Sequence, residues 1–262
     1  MIRPGTLLLA AAAGLAFASA AEALPTREKP TVILVHGAFA DSSSWDPVAT
    51  RLLRNGYKVI AAAAPLRSVK GDAAYISSIV AAQPGPVVLA GHSYGGAVIS
   101  AATAPAGKIK SLVYVAGFAL EAGESGQSIA DKFPEGTLGQ ALAPPVRLDD
   151  GSQDLYILPA KFWGQFAADL PEAKAANMAV TQRPVTLEAL NEPAVATAWK
   201  TTPSWFIYGS LDKNIPRRAH AFMAERARAR ETMEVKGSSH VVMLSHPAEV
   251  AAMIERAASA PD

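Results

Sequence analysis

Apolar residues recur along this chain in two alternating patterns. Short β-branched runs, nearly continuous in their hydrophobicity, are separated by stretches in which apolar positions return with helical spacing. Residues 31–35, 57–61, 86–90, 109–115, 204–208 and, less clearly, 231–235 read as strands. Helical stretches lie near 47–54, 72–82, 94–103, 216–230 and 247–258. This alternation predicts a doubly wound α/β fold, a mainly parallel sheet covered on both faces by helices. In such sheets the reactive loops lie at the carboxyl ends of the strands.

Two segments depart from the alternation. Arg3 precedes an apolar run over 7–20, and small-residue pairs follow at Ala18-Ser19-Ala20 and Ala21-Glu22-Ala23, each suited to a signal peptidase. The run is shorter than the roughly 20 apolar residues of a membrane span. Residues 1–23 are therefore expected to be a cleaved export signal, leaving a periplasmic or secreted protein with no stable membrane anchor. The second departure, 119–202, is rich in Gly and Pro and carries Phe133, Tyr156, Phe162, Trp163 and Phe166. It is too long for a connection and too aromatic for a linker. It is expected to be a mainly helical cap, with a small hairpin near Asp149-Asp150-Gly151, inserted into a core made of 24–118 and 203–262.

Composition narrows the chemistry. Half of the 262 residues are hydrophobic and 18% are charged, which excludes a disordered polyelectrolyte. Alanine supplies about a fifth of the chain, so the core of large side chains is smaller than the hydrophobic fraction suggests. With 24 basic and 23 acidic residues the net charge is +1, and no field for nucleic acid is built in. There is no cysteine, hence no thiolate nucleophile, disulfide framework or cysteine zinc site. The reactive groups must be oxygen and nitrogen side chains.

Gly91-His92-Ser93-Tyr94-Gly95 follows a predicted strand and opens a predicted helix. In that setting G-x-S-x-G is a sharp turn that lifts the serine hydroxyl above the sheet. The N–H of Tyr94, at the helix amino end, can donate to a developing oxyanion. A serine needs a base held by a third group. Among the five histidines, His36 reads as shaping a turn, His92 as pointing away from the serine, His220 as surface or packing on a helix, and His246 as a helix cap. His240, in the loop after the last strand, is the expected base. Asp212, directly after the strand at 204–208, is the expected acid. Glu121 and Glu124 are its rivals, while Asp41 and Asp46 sit near the first helix.

The order Ser93, Asp212, His240 at these strand ends resembles the α/β-hydrolase fold. With Val35-His-Gly-Ala-Phe39, Ala40-Asp-Ser-Ser-Ser-Trp45 and Ser239-His-Val-Val-Met-Leu-Ser-His-Pro247, the chain resembles small bacterial carboxylesterases and the plant methylesterase and hydroxynitrile lyase branch over about 31–258. The resemblance implies that Ala38 supplies the second oxyanion N–H and that Phe39 lines the acyl pocket. The chain departs from that pattern in one respect: after removal of the export signal the mature amino end leaves too little chain for the two extra leading strands of many relatives, which implies about six core strands. Gly37 and Val241 stand where the lyases carry threonine and lysine, and Ser93 stands where dehalogenases and epoxide hydrolases need a carboxylate.

The expectation is therefore a serine esterase acting on a small-molecule ester, with no metal or organic cofactor and no nucleic-acid partner. Two alternatives stand beside it. One is another reaction on the same triad, such as carbon–carbon hydrolysis, lyase chemistry, perhydrolysis or cofactor-free dioxygenation. The other is a non-catalytic small-molecule binding protein.

Overall fold

The computed structural model describes Met1 and residues 28–261. The expected export signal, Met1 apart, lies outside the described residues. The chain begins with β1 (Thr31–Val35), α1 (Asp46–Arg54), β2 (Val59–Ala62), α2 (Val69–Ala81), β3 (Val87–His92), α3 (Tyr94–Ala101) and β4 (Ile109–Val115). Next come α4 (Gly126–Lys132), α5 (Leu138–Ala141), β5 (Val146–Arg147), β6 (Gln153–Leu155), α6 (Pro159–Phe166), α7 (Glu172–Thr181), β7 (Val185–Thr186) and α8 (Leu187–Asn191). It closes with β8 (Ser204–Gly209), α9 (Arg217–Arg226), β9 (Glu231–Val235), α10 (Val242–Ser245) and α11 (Pro247–Ser259).

Six strands form one sheet in the order β2-β1-β3-β4-β8-β9, and every neighbouring pair is parallel. All residues of β1 and β3 are buried, whichever face their side chains take. That is the burial expected of a parallel sheet sandwiched between helices, and it matches the predicted doubly wound α/β class. The chain leaves β1 toward β2 on one side and leaves β3 toward β4 on the other. The crevice between the carboxyl ends of β1 and β3 is thus the switch point where ligands bind in such folds.

Several boundaries differ from the sequence expectation, each for a local reason. Strand β2 starts at Val59 rather than residue 57, because the Tyr57 N–H bonds back to the Leu52 carbonyl in the turn closing α1. Helix α2 starts at Val69 rather than residue 72: the Ser68 hydroxyl accepts from the Gly71 N–H, and the Glu192 carboxylate accepts from the N–H groups of Val69 and Lys70. Helix α9 stops at Arg226, two residues before Arg228 takes a left-handed φ of 49°.

Within 119–202, the antiparallel pair β5–β6 turns around Gly151, whose φ is 88°. A third strand, β7, pairs with β6 to complete a small sheet that no local pattern revealed. Among the described residues no helix is long and apolar enough to cross a membrane.

Candidate active site

Ser93 sits between β3 and α3 with φ 52° and ψ −120°, a conformation that non-glycine residues rarely adopt. The surroundings over-determine it. Its N–H donates to the Ala116 carbonyl at 3.1 Å, and its own carbonyl accepts from Gly96 at 2.9 Å and Phe118 at 3.1 Å. Gly95 lets α3 start directly against β1, since a Cβ there would collide with the Val35 carbonyl oxygen. Gly37 has the same purpose on the facing loop: a Cβ would lie 2.7 Å from Ser93 Cβ and 2.9 Å from His92 Nδ1. The two glycines bring the segment after β1 into contact with the turn after β3.

That approach places Ala38 and Tyr94 beside the serine, and neither of their backbone N–H groups is engaged by a hydrogen bond among the described residues. Ser93, Ala38, Phe39 and Tyr94 share the wall of a cavity of about 890 Å³. Phe39, itself at φ 61°, packs edge-on against Phe166 of α6, with ring centroids 6.3 Å apart.

His240 and Asp212 meet under this floor. His240 is 1% exposed, and its Nδ1–H donates to Asp212 Oδ2 at 2.7 Å. Its Nε2, on the opposite side of the ring, is buried and makes no hydrogen bond. The ring lies 4.8 Å from that of His92, the neighbour of Ser93 in sequence. The other carboxylate oxygen of Asp212 accepts from the N–H groups of Asn214 (2.8 Å) and Ile215 (3.0 Å). Burial alone would favour the neutral acid. The charge and hydrogen bond of His240, with the hydrogen bond of His220, outweigh it and hold the carboxyl well below its ordinary range.

Each remaining candidate has a structural occupation. The His92 Nε2–H donates to the His240 carbonyl at 3.1 Å, and burial holds its pKa well below the ordinary histidine value. The His36 Nδ1–H donates to the Gly37 carbonyl at 2.9 Å and so shapes the turn after β1. His246 occupies the cap position of α11, but its side chain caps nothing and contacts Ser245 instead. Glu124 is engaged by the Arg226 guanidinium at 2.8 Å and Glu121 by Lys200 at 2.6 Å, so neither is free to orient an imidazole. Asp41 caps the turn at Ser42–Trp45, and Asp46 opens α1. Among the described residues no group of three or more His, Asp and Glu is arranged to hold a metal ion.

Three partners escaped the sequence reading. His220 is fully buried, and its Nε2–H donates to Asp212 Oδ2 at 3.1 Å, against the expectation of a surface or packing residue. The buried positions 219, 220, 223 and 224 repeat at the spacing of one helix face, and that was the available signal. Asp169, between α6 and α7, accepts from the Ser239 N–H at 3.0 Å and from the Ser239 hydroxyl, so the insertion holds the loop that carries His240.

Asp72 on α2 is 1% exposed and accepts from the Tyr94 hydroxyl at 3.0 Å and the Leu66 N–H at 2.9 Å. Burial raises its pKa to about 6 from an ordinary 3.8, despite those bonds. The folded state therefore binds this proton more tightly than the unfolded chain. The resulting stability is fully present below about pH 4 and is lost as pH rises through about 6. Relative to Asp72→Asn, the wild type is expected to lose on the order of 2–3 kcal/mol of unfolding free energy between pH 4 and 7. Urea unfolding of both proteins across that range measures it, and a constant difference would contradict the assignment.

The comparisons agree with this architecture. The family model described as the alpha/beta hydrolase family matches residues 32–253. An alpha/beta hydrolase of Aspergillus novofumigatus, nvfD, is 26% identical over 254 residues, covering 88% of this chain and 97% of its own. The crystal structure of polyneuridine aldehyde esterase superposes with a TM-score of 0.76 at 19% identity, covering 87% of this chain and 98% of that one. A pyrethroid hydrolase from Sphingobium faniae JZ-2 superposes with a TM-score of 0.70 at 21% identity, over 88% and 98% of the two chains. With the model matching most of its length, the chain belongs to the alpha/beta hydrolase family.

Proposed function

We propose that this protein is a serine esterase that cleaves neutral carboxylic esters through an acyl-enzyme on Ser93. The observation that carries the reading is the state of His240: Nδ1 is tied to a buried carboxylate, Nε2 is left without a partner, and the ring lies 4.8 Å from that of His92, the residue before the strained serine. His240 Nε2 takes the Ser93 proton as the oxygen attacks the ester carbonyl. Asp212 fixes the tautomer and stabilises the imidazolium that forms. The carbonyl oxygen, now an oxyanion, receives the N–H groups of Ala38 and Tyr94, worth roughly 3–4 kcal/mol each in comparable sites. His240 then protonates the departing alcohol, and water repeats the sequence on the acyl group.

The cavity wall supports the neutral class of substrate. Phe118, Leu138, Leu155, Phe166 and Leu187 give it an apolar lining, Asp131 is the one charged residue, and no Lys, Arg or His lines it among the described residues. A substrate carboxylate would enter without a cation to meet it.

The test is a quench of p-nitrophenyl butyrate turnover followed by peptide mass spectrometry, beside a steady-state comparison with an anionic hemisuccinate ester. A butyryl adduct on the Ser93 peptide is expected, together with at least about a tenfold preference for the neutral ester. Turnover with no adduct, or with an adduct elsewhere, overturns the acyl-enzyme on Ser93, and no turnover of either ester overturns the esterase reading. Preference for the anionic ester overturns the substrate class.

A further inference from the structure

Two imidazoles converge on one oxygen. Asp212 Oδ2 accepts from His240 Nδ1 at 2.7 Å and from His220 Nε2 at 3.1 Å, and all three side chains are at most 1% exposed. An ionised carboxylate can only accept, so His220 presents Nε2–H and leaves Nδ1 without a proton. That Nδ1 is buried and has no partner. A cationic His220 would carry an unsatisfied N–H there, and burial duly lowers its pKa. The ring is therefore a neutral donor, and Tyr208 of β8 fixes its plane by stacking at 4.7 Å and 14°.

We propose that His220 is a positioning residue of the catalytic apparatus, acting through Asp212 to set how strongly that carboxylate holds the proton on His240 Nδ1. This rests on the esterase reading above. Orientation alone does not require His220, because the N–H groups of Asn214 and Ile215 already fix the other oxygen. What His220 adds is a second hydrogen-bond dipole on the oxygen that faces the base. That dipole keeps a fully buried carboxylate ionised, so that it can hold the proton on His240 Nδ1 and stabilise the imidazolium. The charged or titratable groups facing His220 are Asp212, His240 and Tyr208, and Glu234 and Arg217 lie near Tyr208. None of these replaces the donor.

The experiment uses His220→Phe, which keeps a stackable ring without the donor, and His220→Gln, which keeps a donor without the ring. His220→Leu stands in should the Phe variant fail to fold. Rates on p-nitrophenyl butyrate are measured from pH 5 to 9, with Ser93→Ala in parallel. Loss of the donor is expected to lower kcat roughly tenfold with KM within about twofold. With the carboxylate less firmly ionised, the imidazolium form of His240 loses stabilisation, and the acid limb of kcat/KM moves down by about half a pH unit. The Gln variant is expected to stay within about threefold of wild type, with the acid limb unmoved. A folded donor-free variant with wild-type kcat and pH profile, or a Gln variant as impaired as Phe, overturns the proposal. If Ser93→Ala retains full activity, it is the reading of Ser93 as nucleophile that fails.

Discussion

Ser93→Ala is expected to lower kcat on an activated aryl ester by about 10⁴- to 10⁶-fold while leaving the fold intact. The loss is large because, among the described residues, no other serine or threonine is held at a positive φ. The backbone at Ser93 is held at φ 52° by hydrogen bonds from both sides, and the Gly37 and Gly95 contacts bring the opposing oxyanion segment against it. Alanine keeps that backbone, so both N–H donors remain and a small residual rate persists. It also relieves none of the backbone strain, so thermal unfolding should stay close to wild type. Steady-state kinetics on p-nitrophenyl butyrate decide the matter, and turnover of the variant within tenfold of wild type would remove Ser93 as nucleophile.

Asp212→Asn is expected to cost about 10⁴ in kcat, and the structure supplies the reason. Four N–H donors point at this carboxylate, two from backbone and two from imidazoles. An amide has only one accepting end, so its NH₂ must face one of the two pairs. The backbone N–H groups cannot give way, whereas an imidazole can shift its proton to the other nitrogen. The NH₂ then faces His240 Nδ1, the ring proton moves to Nε2, and the base can no longer accept from serine. Glu124→Gln is the control, since its carboxylate is committed to Arg226. A larger loss there than at Asp212 would show the acid to be wrongly assigned.

The sheet was legible because its signal is local. Continuous apolar runs such as 32–35 and 112–115 are read from a few neighbours, and their position in the buried centre follows from their composition. Ser93, Asp212 and His240 could be offered as candidates for a related reason: each directly follows a strand or lies in a strand-to-helix loop, and the fold class sends those loops to one edge. The braces around them left little trace, since they join residues remote in sequence. Asp169 reaches Ser239 across 70 positions, and Glu192 reaches Val69 across 123. His220 is only eight residues from Asp212, but the link depends on how the loop after β8 folds back along α9. A histidine within a helix gives no sign of its partner beyond the helix face it occupies.

The hold of Asp169 on Ser239 has a consequence for how such an enzyme can be altered. The insertion that helps line the cavity is fastened to the loop bearing the proposed base, so under that proposal selectivity and turnover are not separable modules. Grafting a foreign insertion onto this core would change the substrate range and at the same time untether the base. A chimaera that retains the aspartate with its short α6–α7 turn keeps the tether, and one lacking it begins with a loose catalytic loop however well its pocket fits.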